Sequence, residues 1–78
     1  MSESTLDDIR GAIRAAISDA NVEVSGGGGH YTIAVASKVF AGKSMMESHR
    51  LVYAAIAPLM SGDAAPVHAV DSLKTVAR

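Results

Sequence analysis

A chain of 78 residues without a single cysteine has to hold itself together by packing alone. A domain of this size buries only about 60% of the surface its unfolded chain exposes, and small folds commonly add a disulfide or a structural metal. Both thiol-based routes are closed here. Three histidines cannot fill a closed four-coordinate structural site either. The 49% hydrophobic content must therefore supply one core, which leaves room for a single domain spanning residues 1–78.

The same limits exclude several function classes. No apolar run approaches the roughly 20 residues of a membrane-spanning helix. The acidic start Met1-Ser2-Glu3 lacks the basic and then apolar profile of a secretory signal, so the chain reads as cytoplasmic, with no membrane partner. Seven Lys plus Arg against eight Asp plus Glu give a formal charge of −1, so no global field attracts nucleic acid. With no Trp, one Phe and two Tyr there is no aromatic platform for stacking several bases.

Hydrophobic periodicity sets the element order. Ser4 is positioned to cap a helix with Asp7 three residues later, and Leu6, Ile9, Ile13, Ala16, Ile17 and Ala20 then recur at helical spacing. Asp8, Arg10, Arg14 and Asp19 fall on the opposite face, a mixed-sign pattern expected of a solvated surface. Val22-Glu23-Val24 begins a strand alternation that Ser25 and four glycines, Gly26 to Gly29, interrupt before Tyr31, Ile33 and Val35 resume it. Two strands joined by a glycine loop predict a hairpin, its loop either mobile or kept bare so that something can approach the backbone.

Phe40 is expected to anchor the following connection. Ser44, with Glu47 three residues on, starts a second helix whose face of Met45, His49, Val52, Tyr53, Ile56 and Leu59 is expected to be buried against the sheet. Pro58 inside that period predicts a kink or a frayed last turn near Ala57, because the missing N–H and the ring clash cost about 3 kcal/mol. Gly62 to Pro66 read as a stop and turn. Val67 to Thr75 then supply a third strand, with Val67 and Ala69 on one face, His68 and Val70 on the other, and a bulge or early end at Asp71-Ser72. The resulting fold class is α+β with the order αββαβ, helices packed on one small three-stranded mixed sheet.

Two glycine motifs invite a nucleotide reading and fail it. The Gly26 to Gly29 run lies between strands, so it offers no helix N-terminus to a pyrophosphate. Gly42-Lys43-Ser44 precedes a helix, but a P-loop would need its first glycine at position 37, which is Ser37. There is no thiol nucleophile and no serine in a recognisable elbow, so the chain is not expected to be an enzyme. Of the histidines, His49 reads as a packed core residue. His30 sits where the glycine loop becomes a strand, and His68 is buried or open according to whether helices cover its face of the sheet. Spacing alone does not bring His30 and His68 together, and a two-histidine site would need ligands from another molecule.

The blocks Val39-Phe40-Ala41-Gly42-Lys43-Ser44, His49-Arg50-Leu51-Val52-Tyr53 and Val67-His68-Ala69-Val70, with His30-Tyr31 before them, resemble the BolA-like family. That family carries a segment close to F-x-G-K-S-x-x-x-R-H-R-x-V-Y and a later strand beginning I/V-H-A-L, and the resemblance covers Leu6 to Thr75. It implies a fold similar to a class II KH domain, in agreement with the order above. It also implies a non-enzymatic partnership with a monothiol glutaredoxin around a two-iron two-sulfur cluster. The glutaredoxin and glutathione would each give a thiolate, and the processes concerned are iron–sulfur trafficking, iron regulation or stress response. His68 matches the family's invariant ligating histidine, and His30 is carried over as the second metal ligand. The isolated protein would hold no cofactor and exist as a monomer or weak homodimer.

Four departures from the family pattern stand out. Ser48 replaces the first basic residue of the R-H-R run, and Pro58 enters the second helix. Asp71-Ser72 adds a residue after the histidine, and the T-P-x-E-W ending is missing, which suggests a compact subclass. The alternative implied by the family is a KH-like DNA-binding transcriptional regulator, with Lys38, Lys43 and Arg50 around Gly42 contacting phosphates.

Overall fold

A computed structural model of the chain describes residues 2–62 and 65–78; the side chains of residues 2–4 lie outside this description. Two helices pack on one face of a three-stranded mixed sheet, in the order α1 (Ser2–Ala16), β1 (Asn21–Gly27), β2 (His30–Ser37), a 3-10 turn (Lys38–Phe40), α2 (Met45–Met60) and β3 (Ala69–Ala77). β2 is central, antiparallel to β1 and parallel to β3. The parallel pairing follows from α2, which carries the chain back along the sheet before β3 begins. No described helix is long and apolar enough to cross a membrane.

The core is built from two periodicities that meet. Ile9 and Ile13 come from the buried stripe of α1, Val22 and Val24 from alternate positions of β1, Tyr31, Ile33 and Val35 from β2, and Val52 and Ile56 from α2. Phe40 closes one end of this core, as the sequence leads one to expect, and Val67 is buried at the other. Fully burying a residue such as Ile33 or Ile56 contributes about 1.5–3 kcal/mol.

Several boundaries differ from the sequence reading. α1 starts at Ser2, so Ser4 lies within the helix rather than at its cap. It ends at Ala16, which is exposed. The Ile17 amide still donates to the Ile13 carbonyl and Ile17 stays buried, after which the chain turns so that the Ala20 amide donates to Ile17. The buried face of α2 is Ser48, Val52 and Ile56, which keeps Val52 and Ile56 of the expected stripe, with Leu59 packed beside them, but is narrower and shifted toward Ser48. Met45 and Tyr53 are exposed and His49 is only half-buried, because the sheet covers a narrower arc of α2 than its apolar residues span. Pro58 does not end the helix, which runs on to Met60. Pro58 and Ala54 are both exposed, so the carbonyl that loses its partner is open to water.

The start of α2 matches its expectation in full. Ser44 Oγ accepts from the Glu47 amide, and the Glu47 carboxylate accepts from the Ser44 amide. The Ser44 backbone N–H, followed by its hydroxyl, holds the Glu47 carboxyl below its usual range. Just ahead, the Lys43 amide donates to the Phe40 carbonyl around Ala41 (φ −62°, ψ 129°) and Gly42 (φ 76°). That is a type II turn, which requires glycine at its third position. The stop after α2 includes Gly62 at φ 87°, whereas Asp63 and Ala64 of the expected turn lie outside the described residues.

Candidate functional site

The glycine loop is shorter than the sequence suggests. β1 runs through Ser25 to Gly27, which pairs with His30, so only Gly28 and Gly29 form the turn. Both have positive φ, 62° and 86°, the requirement of a two-residue type I′ hairpin. Gly26 is bare because a Cβ there would stand 2.3 Å from the His30 carbonyl oxygen. Gly29 is bare for a different reason, since its Cβ would lie 2.9 Å from Cγ and Cδ2 of the His68 ring. What approaches the glycine backbone is therefore His68 of the same chain.

His68 does not belong to β3, contrary to the sequence reading. The strand starts at Ala69, two residues later than expected, because the amides of His68 and Ala69 both turn to one acceptor, the Gly29 carbonyl, at 2.8 and 2.9 Å. Val67 is buried with its amide on the Leu59 carbonyl, and Val70 packs on the core, so His68 and Val70 do not share a face. Parallel pairing places Ala69 beside His30. His30 and His68 thus stand at one corner of the sheet, flanking Gly29, and both are exposed. His68 also walls a small hollow of about 210 Å³ with Met60, Gly62, Ala65 and Val67.

The expected irregularity at Asp71-Ser72 is a bulge rather than a strand end. Tyr31 pairs with Val70 and Thr32 with Ser72, which leaves Asp71 without a partner in the ladder. Its carboxylate reaches the neighbouring strand, where Oδ1 lies 3.2 Å from Nδ1 of His30. Nothing in the local sequence signals this contact, because the two residues are 41 positions apart. Among the described residues no three of His, Asp and Glu gather as a metal-holding group. The donor set of this corner is two exposed imidazoles, which fits a metal whose other ligands come from a second molecule.

The other sequence-predicted residues lie elsewhere. His49 lines a groove of about 430 Å³ between α2 and the second half of β3, with Lys43 and Lys74 on its walls, away from the other two histidines. Lys38, Gly42, Lys43 and Arg50 are exposed on the connection and on α2, and Gly42 is accounted for by its turn. At that same end Asp19, expected to be merely solvated, binds the buried Ser37 hydroxyl and the Lys38 amide. The Ser37 hydroxyl first, and the Lys38 amide second, hold the Asp19 carboxyl below its usual range. The Arg78 guanidinium donates to the Asp19 backbone carbonyl.

A protein-family model described as BolA-like protein matches residues 5–78. The chain belongs to the BolA-like family. Among solved structures, BolA1 from Mus musculus is 32% identical with a TM-score of 0.71, over 92% of this chain and 63% of the mouse one. The chain thus spans less than two thirds of that protein's length. The BolA domain of SufE1 from Arabidopsis thaliana is similar in fold, with a TM-score of 0.77 at 23% identity, over 95% of this chain and 92% of the other. BolA1 from Arabidopsis thaliana follows at 0.68 and 19%, covering 92% and 87%. No curated protein sequence matches significantly. Two helices on a three-stranded mixed sheet is the arrangement that this chain shares with these BolA structures.

Proposed function

We propose that this BolA-like protein is a non-enzymatic partner of a monothiol glutaredoxin, giving His68 and His30 to a shared two-iron two-sulfur cluster. The observation that carries this reading is the Gly29 carbonyl, which accepts from both His68 and Ala69 and so seats the two exposed histidines on either side of one glycine. The chain has no thiol, so its donors to such a site are imidazoles, and thiolates come from the glutaredoxin and glutathione. When bound, a cluster with imidazole in place of thiolate supplies electron transfer at a raised potential. Gly29 supports His68 from below, and the hairpin turn holds His30 at the edge of the same corner.

The experiment is reconstitution of the purified protein with a monothiol glutaredoxin, iron, sulfide and glutathione, followed by visible circular dichroism. The mixed complex should give a spectrum different from that of the glutaredoxin alone. His68→Ala should abolish that difference and His30→Ala should alter it. Identical spectra for the parent and both variants would overturn the ligand assignment.

A DNA-binding reading draws on a separate observation, that Lys43 and Lys74 face one groove at the other end of the sheet with Lys38 and Arg50 exposed nearby in the chain. It requires a duplex DNA shift that weakens steeply with salt and is lost when Lys43 and Arg50 become alanine. No shift at low salt removes it.

A further inference from the structure

We propose that Asp71, the residue β3 inserts at its bulge, is a positioning residue that fixes the ring of His30 and leaves Nε2 as its ligating atom. The inference rests on the cluster-sharing reading for its function but on the fold alone for its geometry. Relative to the family pattern, Asp71-Ser72 carries one residue more than the strand after the histidine usually has, and the ladder shows which residue is extra. Thr32 pairs with Ser72 and Tyr31 with Val70, so Asp71 alone is released from the regular alternation. A released residue re-aims its side chain, and this one aims at His30.

The chemistry of the contact selects a tautomer. An ionised carboxylate only accepts, so at the 3.2 Å contact Nδ1 of His30 must carry the proton and donate it to Oδ1 of Asp71. The neutral ring then has its lone pair on Nε2, the nitrogen farther from the backbone. A histidine that donates through one ring nitrogen to a carboxylate and ligates through the other is a recurring arrangement at metal sites, and the carboxylate both orients the ring and raises its basicity. The side chains of His30 and Asp71 are each 59% exposed, so the pair contributes little to stability. A free imidazole on the edge of a hairpin has two tautomers and several rotamers, and Asp71 removes most of that choice before a partner arrives.

The test has two arms. In the isolated protein at pH 8, long-range nitrogen–proton correlation spectra of the histidine rings should show His30 protonated mainly at Nδ1. Asp71→Ala should move it toward the Nε2-protonated form while His68 is unchanged, and Asp71→Asn, whose amide can accept from a protonated Nδ1 or donate to a bare one, should fall between the two. In the glutaredoxin mixture, Asp71→Ala should weaken cluster retention about tenfold. Asp71→Asn should restore only part of it, and Asp71→Ala should add nothing once His30 is already alanine. An unchanged His30 tautomer in Asp71→Ala overturns the proposal, as does a loss of cluster retention that persists in the His30→Ala background. If the parent forms no mixed cluster while the tautomer responds as described, the functional reading fails and the positioning contact stands.

Discussion

The two ends of the sheet each carry an aspartate, and the two aspartates are used in opposite ways. At one end Asp19 binds a buried hydroxyl and a backbone amide, and a guanidinium caps its own carbonyl. Its carboxylate is held by groups that belong to the fold, and its pKa is lowered accordingly. At the other end Asp71 leaves its ladder to meet a single exposed imidazole. The first arrangement joins the α1–β1 turn, the end of β2 and the last residue of the described chain into one latch. The second joins only side chains that the core does not need. One aspartate thus ties backbone and buried side chain together, while the other orders only an exposed ring.

The largest effect should come from the strand the two ends share. Ile33, fully buried at the middle of β2, should cost about 2–5 kcal/mol when truncated to alanine, measured by urea unfolding, and both ends should fail in one transition. Two separated transitions would show that the ends are energetically independent. Next is Gly29→Ala, which forces a side chain onto φ 86° and into the His68 ring, at about 1–3 kcal/mol. Its amide shifts should move around His30, His68 and Ala69, while those around Asp19 and Lys38 stay in place.

Asp19→Asn should lower stability at neutral pH and leave the histidine end intact. Because the folded-state pKa of Asp19 is depressed, its contribution is fully present above the ordinary carboxylate value of about 4 and is lost as the pH falls through the lower folded value. Parent and Asp19→Asn midpoints should therefore converge in acid, and a gap independent of pH would show that the latch works through shape rather than charge. The smallest effect belongs to Asp71→Ala, whose stability should change by less than about 0.5 kcal/mol even as the His30 tautomer shifts. A larger loss would make Asp71 a second latch and erase the contrast.

Much of this was legible in the residues. The αββαβ order, the Phe40 anchor, the Ser44 and Glu47 capping box and the irregularity at Asp71 all rest on local patterns, and local patterns survive folding. The narrowness of the buried face of α2 was not legible, because Met45 and Tyr53 are apolar at helical spacing and only the width of the sheet decides that they stay outside. The position of His68 was misread for a similar reason. Alternation continued through Val67 and His68, but the Gly29 carbonyl captured two consecutive amides and delayed the strand. Both aspartate contacts escaped for a simpler reason. Asp19 and Asp71 look like ordinary surface acids until strand pairing brings their partners alongside. The resemblance to the BolA-like family singled out His68 and His30, yet it said nothing of the carboxylate beside one of them.

The parallel pairing of β2 with β3 has a consequence for assembly over time. An antiparallel hairpin forms its contacts from neighbours, and the β1–β2 turn can close in microseconds. The histidine corner depends instead on a crossover through all of α2, so it is a long-range contact whose closure must wait for most of the chain to order. His30 lies in the local hairpin, whereas His68 joins it only through the long-range pairing of β2 with β3. The two rings are therefore brought to one corner only when β3 docks beside β2, and their pairing depends on the long-range part of the fold.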